Sequence, residues 1–432
     1  MVRFSSLRES PMPLWLIPMF YIAGAVFAGL VLPRFEKVYL AGYSLGLSIA
    51  SAQAYLSAAA SGMMALTGIV FAMAFVMVQF SAIAYSPRLV LWFARDPILF
   101  HALGAFGATF LYALFTLAWV DRGGSGNVPL FSSLIVALMM IASMLLFARL
   151  MQRLSDLQIS SVLHLIGDRG REAIRDMFAG RAGAKALGRP PSAQDRDALA
   201  PPTLTLKYSG RPLTIARFDV DALVRQAEQA NAIIVMLCAV GDTLVEGATL
   251  LRVHGGGAPL SERALRDAIR LGRERTFEQD PKYPIRLLVD VAIRALSPAV
   301  NDPTTAVQTI DQIEDLLRRL GRSELDAGYG FDRTGKLRLV VPMPTWEDYL
   351  ALAFDEIRQY GATSVQVMRR LRSALAGLMD AVTTPERAEA VRRSLDHLDL
   401  VIENSSLDPT DRMTAREEDR QGIGLSGRRE EE

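Results

Sequence analysis

Residues 38–87 read VYLAGYSLGLSIASAQAYLSAAASGMMALTGIVFAMAFVMVQFSAIAYSP, fifty residues without Asp, Glu, Lys, Arg or His. A soluble domain rarely leaves so long a stretch uncharged. Arg34, Glu36 and Lys37 bound it on one side and Arg88 on the other. A helix rises about 1.5 Å per residue and a bilayer core is about 30 Å thick, so one straight span needs only about 20 residues. The run is therefore a spanning helix plus something else, and the chain reads as an integral membrane protein.

Outward from this run the chain divides into two unlike parts. Residues 1–148 hold 7 Lys/Arg and 4 Asp/Glu, and residues 149–432 hold the other 40 and 42. The first part is apolar; the second has the charge density of a soluble domain. The net charge of +1 divides as +3 and −2, so neither part reads as a nucleic-acid binder. Cys238 is the only cysteine, which excludes an intramolecular disulfide and a thiolate zinc cluster.

Four apolar segments are readable: about Pro13–Leu32, Met63–Tyr85, Ile98–Val120 and Pro129–Phe147. Each is near the ~20 residues a span requires. The first carries the small triplet Ala23-Gly24-Ala25, but its apolar core is too long for a secretory signal and reads as an uncleaved anchor. With the N-terminus inside, Arg3, Arg8, Arg88, Arg95, Arg149 and Arg153 are cytoplasmic and only Arg34, Lys37 and Arg122 are outside. Both termini are then expected in the cytoplasm.

Tyr39–Ser61 is less apolar than the span it precedes. Ser44, Ser48 and Ser51 fall at helical spacing, and Ser57 and Ser61 continue it. The segment reads as a helix at the outer membrane face, or as a re-entrant or pore-lining helix with hydroxyls facing water. Gln79, near the inner end of the second span, suits a helix-packing hydrogen bond or a pathway wall. Ser86-Pro87-Arg88 has the form of a helix start, and Leu89–Phe93 that of a short interfacial helix. Gly104 and Ala108 form a small-xxx-small pair for close helix approach. His101 reads as a packing or interfacial His, or as a proton relay.

The fourth span continues without a breaker into Arg149–Ile166, where Leu150, Leu154, Leu157 and Ser161 hold one face. This predicts a protruding helix packing on the same chain or on another subunit. Gly180–Pro202 is a linker. Leu204–Tyr208, Leu213–Ala216 and Ala232–Ala239 read as strands, and Val240–Gly247 as a tight turn. It resembles the turns of biotinyl- and lipoyl-carrier domains, without their modified Lys. Helices dominate from Ser261 on, with starts expected at Ser261, Asp302, Thr345, Thr363 and Thr384.

Two segments are informative together. One is Thr67-Gly68-Ile69-Val70-Phe71 running to Gln79-Phe80 and Ser86-Pro87-Arg88. The other is Arg294-Ala295-Leu296-Ser297-Pro298-Ala299-Val300-Asn301-Asp302-Pro303-Thr304-Thr305-Ala306. The combination resembles the DUF2254 family of predicted bacterial membrane proteins, over roughly Pro13 to Glu403. The resemblance implies a multi-span inner-membrane protein with a cytoplasmic domain, and carries no site residues with it. By their own chemistry, Ser297, Asn301, Asp302, Thr304 and Thr305 form a Pro-bounded turn between helices. It reads as an N-cap and rigid corner, or as a ligand site.

His254-Gly255-Gly256-Gly257 resembles an oxyanion-hole loop, but no Gly-x-Ser-x-Gly nucleophile elbow, phosphate-binding loop or His-Glu-x-x-His occurs. No catalytic, cofactor-binding or metal-binding residues are assigned, and no cofactor is expected. The fold class is an α-helical membrane domain of about four transmembrane helices at 1–148, followed by a cytoplasmic α+β domain, helix-rich toward the C-terminus. A juxtamembrane helix and linker occupy 149–202, the α+β domain 203–404, and a disordered tail 405–432. The expected function is an oligomeric channel or transporter controlled by its cytoplasmic domain, with Ser44, Ser48, Ser51 and Gln79 as candidate pathway residues. The alternative is a membrane-anchored sensor or scaffold. Expected partners are the lipid bilayer and further copies of the chain, with no nucleic acid.

Overall fold

The computed structural model describes residues 13–39, 48–84, 97–122, 128–155, 158–178, 201–257, 260–325 and 328–424. The chain forms two units, 1–158 and 159–432. Ser44, the start at Ser86-Pro87-Arg88, the segment Leu89–Phe93 and the linker up to residue 200 lie outside the described residues.

The first unit contains helices α1 (Leu16–Tyr39), α2 (Ile49–Ala84), α3 (Pro97–Leu117) and α4 (Leu130–Ser155). Among the described residues, these four helices are long and apolar enough to cross a membrane. Helix α3 is central and packs on the other three. Glycines allow its close approach to α1. A Cβ on Gly104 would lie 2.9 Å from the Tyr21 ring, and one on Gly29 only 2.7 Å from the Cβ of Phe115. Gly104 and Ala108 are both buried, as the small-xxx-small spacing predicts. These contacts climb both helices together, so α1 and α3 are parallel. Helix α2 runs against α3: Ala52, Leu56, Ala59 and Ala60 pack with Ala108, Tyr112 and Ala113, while Val70 packs with Leu99, Ala102 and Phe106. Hydroxyls inside the unit find acceptors one turn back, Thr67 on Met63 O at 2.8 Å and Thr109 on Ala105 O at 2.7 Å.

Helix α2 corrects the expected second span. The hydropathy of the sequence predicts the span at Met63–Tyr85 and a separate segment before it. Instead one helix of 36 residues, about 54 Å long, begins at Ile49. No proline interrupts it, and Gly62 alone does not break a helix packed along its length. Its register on α3 puts residues from Ala52 to Val70 alongside that span. The candidate spanning helix accordingly starts at Ile49, and Ser51, Ser57 and Ser61 belong to it.

The second unit opens with α5 (Ile159–Phe178). The expected uninterrupted continuation of the fourth span is also corrected. Helix α4 is described as far as Ser155, Gln158 lies in a bend, and α5 begins at Ile159. The reason is that the apolar face of α5 has its own partners. They are α8 (Lys282–Ala295) and α9 (Pro303–Arg322), of the same chain. Val162, Leu163, Ile166, Ala173 and Ile174 are buried there. Gly170 meets Leu316 and Pro284, and Arg171 bonds Asp315 at 2.7 Å.

Between α5 and α8 lie β1 (Pro202–Lys207), β2 (Leu213–Phe218), α6 (Val220–Gln229), β3 (Ala232–Met236), β4 (Thr243–Leu244), β5 (Thr249–Gly255), α7 (Glu262–Asp267) and β6 (Ile269–Gly272). After α9 come β7 (Tyr329–Phe331), β8 (Leu337–Val340), α10 (Trp346–Tyr360), α11 (Val365–Met379), α12 (Pro385–Glu403) and α13 (Pro409–Ala415). The strands form a five-stranded sheet in the order β1-β5-β3-β8-β7 and a three-stranded sheet in the order β4-β2-β6. The β3–β8 pair is parallel, and it draws the late strand into the early sheet.

Ser261, Asp302, Thr345 and Thr384 cap helices as expected. Ser364 caps α11, one residue after the expected Thr363. The expected disordered tail is ordered through residue 424. Helix α13 packs on α11 and α12, and the Asp419 carboxylate accepts the N–H groups of Gln421, Gly422 and Gly424. Composition suggested disorder because apolar residues thin out. Backbone hydrogen bonds to one buried carboxylate hold the segment instead.

Candidate functional site

Of the candidate pathway residues, the described ones, Ser48, Ser51 and Gln79, are not gathered around one channel in a single chain. Ser48 caps α2: its hydroxyl accepts the N–H of Ser51 at 3.1 Å and lies 2.8 Å from the Ser51 hydroxyl. Gln79 is exposed about 42 Å further along the same helix. What the structure adds is a face. At roughly 100° per residue, Ala54, Ser57, Ser61, Ala65, Gly68, Ala72 and Gln79 line the side of α2 opposite its buried face. All of them are exposed. Nothing lies within 4 Å of where a Cβ on Gly68 would stand. The Thr67 hydroxyl bonds to the carbonyl one turn back, whereas the Ser57 and Ser61 hydroxyls make no hydrogen bond to another described residue.

At the end where α1 and α3 finish and α2 and α4 begin, the structure assembles a polar cluster that local reading missed. Helix α4 starts after Pro129 with no capping side chain of its own. Glu36, 8% exposed, fills that place. Its carboxylate accepts the N–H of Phe131 at 2.7 Å, the N–H of Ser132 at 3.0 Å and the Ser132 hydroxyl at 2.9 Å. A carboxylate there satisfies orphan donors and complements the helix dipole. Tyr55 reaches the same helix, donating to Ser133 O at 3.4 Å. The available signal was a lone acid near the end of an apolar helix and an uncapped helix start. Near the other end, His101 Nδ1 lies 3.2 Å from the Tyr21 hydroxyl, so it ties α3 to α1.

The turn at Ser297–Thr305 is internally bonded. Ser297 O accepts the N–H of Val300 and of Asn301, and Asp302 N–H donates to Ala295 O at 2.8 Å. Asn301 adopts φ 48°, which Asn tolerates better than most residues. The Asp302 carboxylate accepts Thr305 N–H at 3.1 Å and the Thr305 hydroxyl at 2.5 Å. Thr304 is exposed, and Thr305 is buried. The donors at the start of α9 thus already hold an anion, Asp302 itself. Thr305 is a member of the cap and not a bystander to it.

A second buried cluster, also missed, joins the tight turn to the helices. Gly241 has φ 90°, and a Cβ there would lie 2.5 Å from Asp280 Oδ2 and 2.6 Å from Arg275 Nη2. The expected turn chemistry is present: the Asp242 carboxylate accepts Ala239 N–H at 2.8 Å. Arg275 Nε donates to Gly241 O at 2.9 Å and is 3.7 Å from Asp280 Oδ2. Asp280 is 1% exposed, and its Oδ2 has no hydrogen-bond donor among the described residues. Burial pushes its carboxyl above the ordinary range, against the opposing pull of Lys282 and Arg275. Burial, with the Asp280 and Asp348 charges, likewise holds the Tyr349 hydroxyl above its usual range. A cavity of about 170 Å³ lies between α10, α11 and α12, with Phe354 and Leu375 among its apolar walls and Arg358, Arg393 and His397 among its polar ones.

The family model described as predicted membrane protein (DUF2254) matches residues 12–377. Uncharacterized proteins of Mycobacterium bovis and Mycobacterium tuberculosis are each 27% identical over 418 residues, covering 92% of this chain and 78% of theirs. No solved structure gives a significant match.

Proposed function

This chain belongs to the DUF2254 family of predicted membrane proteins, and from that premise we propose that it is a subunit of a homo-oligomeric channel or transporter of the bacterial inner membrane. The observation that carries this reading is the exposed face of α2. Hydroxyls and an amide turned toward hydrocarbon are unfavourable, because lipid offers them no partner. Small residues one turn apart allow another helix to approach closely. Copies of α2 facing one another would cover Ala54, Ala65, Gly68 and Ala72, and leave Ser57, Ser61 and Gln79 on a shared, wettable seam. Among the described residues the interior of a single unit offers no such seam, since Thr109, Tyr112 and Ser143 are packed away there.

The termini are proposed to lie in the cytoplasm. The six-to-three distribution of positive charge and the alternating directions of the helices support this orientation. The 159–432 unit would then be the controlling domain.

The test is flux. Protein purified in mild detergent and reconstituted in liposomes is expected to pass small ions or solutes. Ser61→Leu is expected to reduce that flux at equal protein incorporation. An intact oligomer that passes none of a panel of cations, anions and neutral solutes would sink the transport reading and leave a membrane-anchored sensor or scaffold.

A further inference from the structure

At the end of the first unit that holds the Glu36 cluster, two guanidinium groups from different helices converge on one indole. The Arg122 Cζ lies 4.2 Å from the Trp119 ring centroid, and the Arg34 Cζ lies 5.6 Å from it. The two positive charges are thus no more than about 10 Å apart. Both arginines are exposed, as is Lys37 beside them. Two cations held together are expected to have an anion between them.

Among the described residues the chain pairs no carboxylate with either guanidinium, and Asp121, which precedes Arg122, has a contact of its own. Glu36, two residues from Arg34, is buried, and both of its oxygens are taken by the start of α4. The arrangement is also built, not incidental. Gly29 lets α1 touch α3 at Phe115, and in the parallel register this brings Arg34 level with Trp119. The Trp119 backbone is held in the last turn beyond α3, its main-chain N–H donating to Thr116 O at 3.0 Å. Cation–π contact holds each guanidinium side-on while its N–H groups stay free to donate. The depth is that of a span end, where Trp and Arg meet lipid headgroups.

We propose that Arg34 and Arg122, supported on Trp119, bind a phosphate group at the membrane surface, supplied by the headgroup of an anionic phospholipid. A guanidinium pairs with phosphate through parallel, charge-assisted hydrogen bonds, and two of them facing one site favour an anionic headgroup over a zwitterionic one, whose own cation they repel. The site is separate from the α2 face and does not depend on transport.

The experiment uses the full chain in a zwitterionic detergent. It is titrated with phosphatidylglycerol, with phosphatidylcholine and with inorganic phosphate. Bound lipid is counted by native mass spectrometry, and the melting temperature is followed in all three arms. Phosphatidylglycerol is expected to bind at least tenfold more tightly than phosphatidylcholine, and Arg34→Gln with Arg122→Gln is expected to remove that preference. Arg149→Gln, an exposed arginine on α4, is the control and should keep it. A rise in melting temperature with inorganic phosphate alone, lost in the paired variant, would support the same phosphate site but overturn the lipid as its source. Equal retention of the two lipids by the wild-type protein would overturn the proposal without recourse to any variant. So would an undiminished preference in a paired variant that folds.

Discussion

Ser132 donates both its backbone N–H, at 3.0 Å, and its hydroxyl, at 2.9 Å, to one carboxylate oxygen of Glu36, a residue 96 positions earlier in the chain. The first span thereby caps the fourth. The only acid of α1 is placed where a helix start lacks a cap of its own.

Glu36→Ala should lower the stability of the membrane unit by about 2 kcal/mol, because it leaves buried N–H groups without an acceptor. Glu36→Gln keeps one acceptor and should cost less. Thermal unfolding in detergent gives the comparison. Equal melting temperatures for Glu36→Ala and wild type would show that the contact contributes nothing.

Asp302→Ala and Thr305→Ala should each destabilise the second unit, the first by about 0.5–2 kcal/mol and the second by about 1 kcal/mol. Both remove parts of one hydrogen-bonded cap, so the double variant should cost less than the two singles added together. Strict additivity in denaturant titrations would mean that the Thr305 hydroxyl acts on something other than Asp302.

Asp280→Asn should stabilise the protein at neutral pH. Burial raises the Asp280 carboxyl above its ordinary range. Below the ordinary carboxylate value, folded and unfolded chains both carry the proton and nothing is lost. As pH rises from that value to the raised one, the unfolded chain sheds its proton first, so stability falls. The penalty is complete above the raised value. The advantage of Asp280→Asn should therefore shrink as pH drops through this window. An advantage that stays constant into acid would rule out the charge as its source.

Asp419→Ala should release the segment after α13. Asp419 is fully buried and accepts three backbone N–H groups, and its loss should cost about 1–3 kcal/mol locally. Trypsin should then cleave at Arg416 and Arg420 much faster than in wild type. Equal cleavage rates would mean that the carboxylate does not hold the segment.

Gly68→Leu with Ser61→Leu probes assembly. Both positions are exposed on α2, so the added bulk should leave the single chain folded. If this face joins copies, light scattering in mild detergent should report a smaller particle. The face of α5 is a poorer probe, because it is already packed against α8 and α9 within the chain. An unchanged mass for the paired Leu variant would remove α2 from the assembly.

Much of the architecture was legible without coordinates. Apolar runs located four membrane helices. The Ser, Thr and Asp starts at 261, 302, 345 and 384 marked helix ends, and Gly241-Asp242 marked a turn. These signals act within one or two turns of the chain, through solvation and local hydrogen bonds, so a sequence states them directly. The candidate residues fared less evenly. The Ser297–Thr305 segment was recognisable as a capped corner, yet Thr305's membership of the cap depended on where its hydroxyl points. Ser51, Ser57 and Ser61 were recognised as helical, but not as part of a span.

What the sequence by itself determined is therefore the solvent of each segment: lipid for the first part of the chain, water for the second. What only the tertiary structure decided is register and partnership. It set the depth of α2 through the contact of Ala52–Val70 with α3, gave α5 a partner in its own chain, and ordered the tail around Asp419. It also brought Glu36 to Ser132, Asp280 to Gly241, and Arg34 to Trp119 beside Arg122. Each of these rests on contacts across tens to hundreds of residues. Such contacts depend on how packed helices slide and turn against one another, and hydropathy and capping residues leave that free.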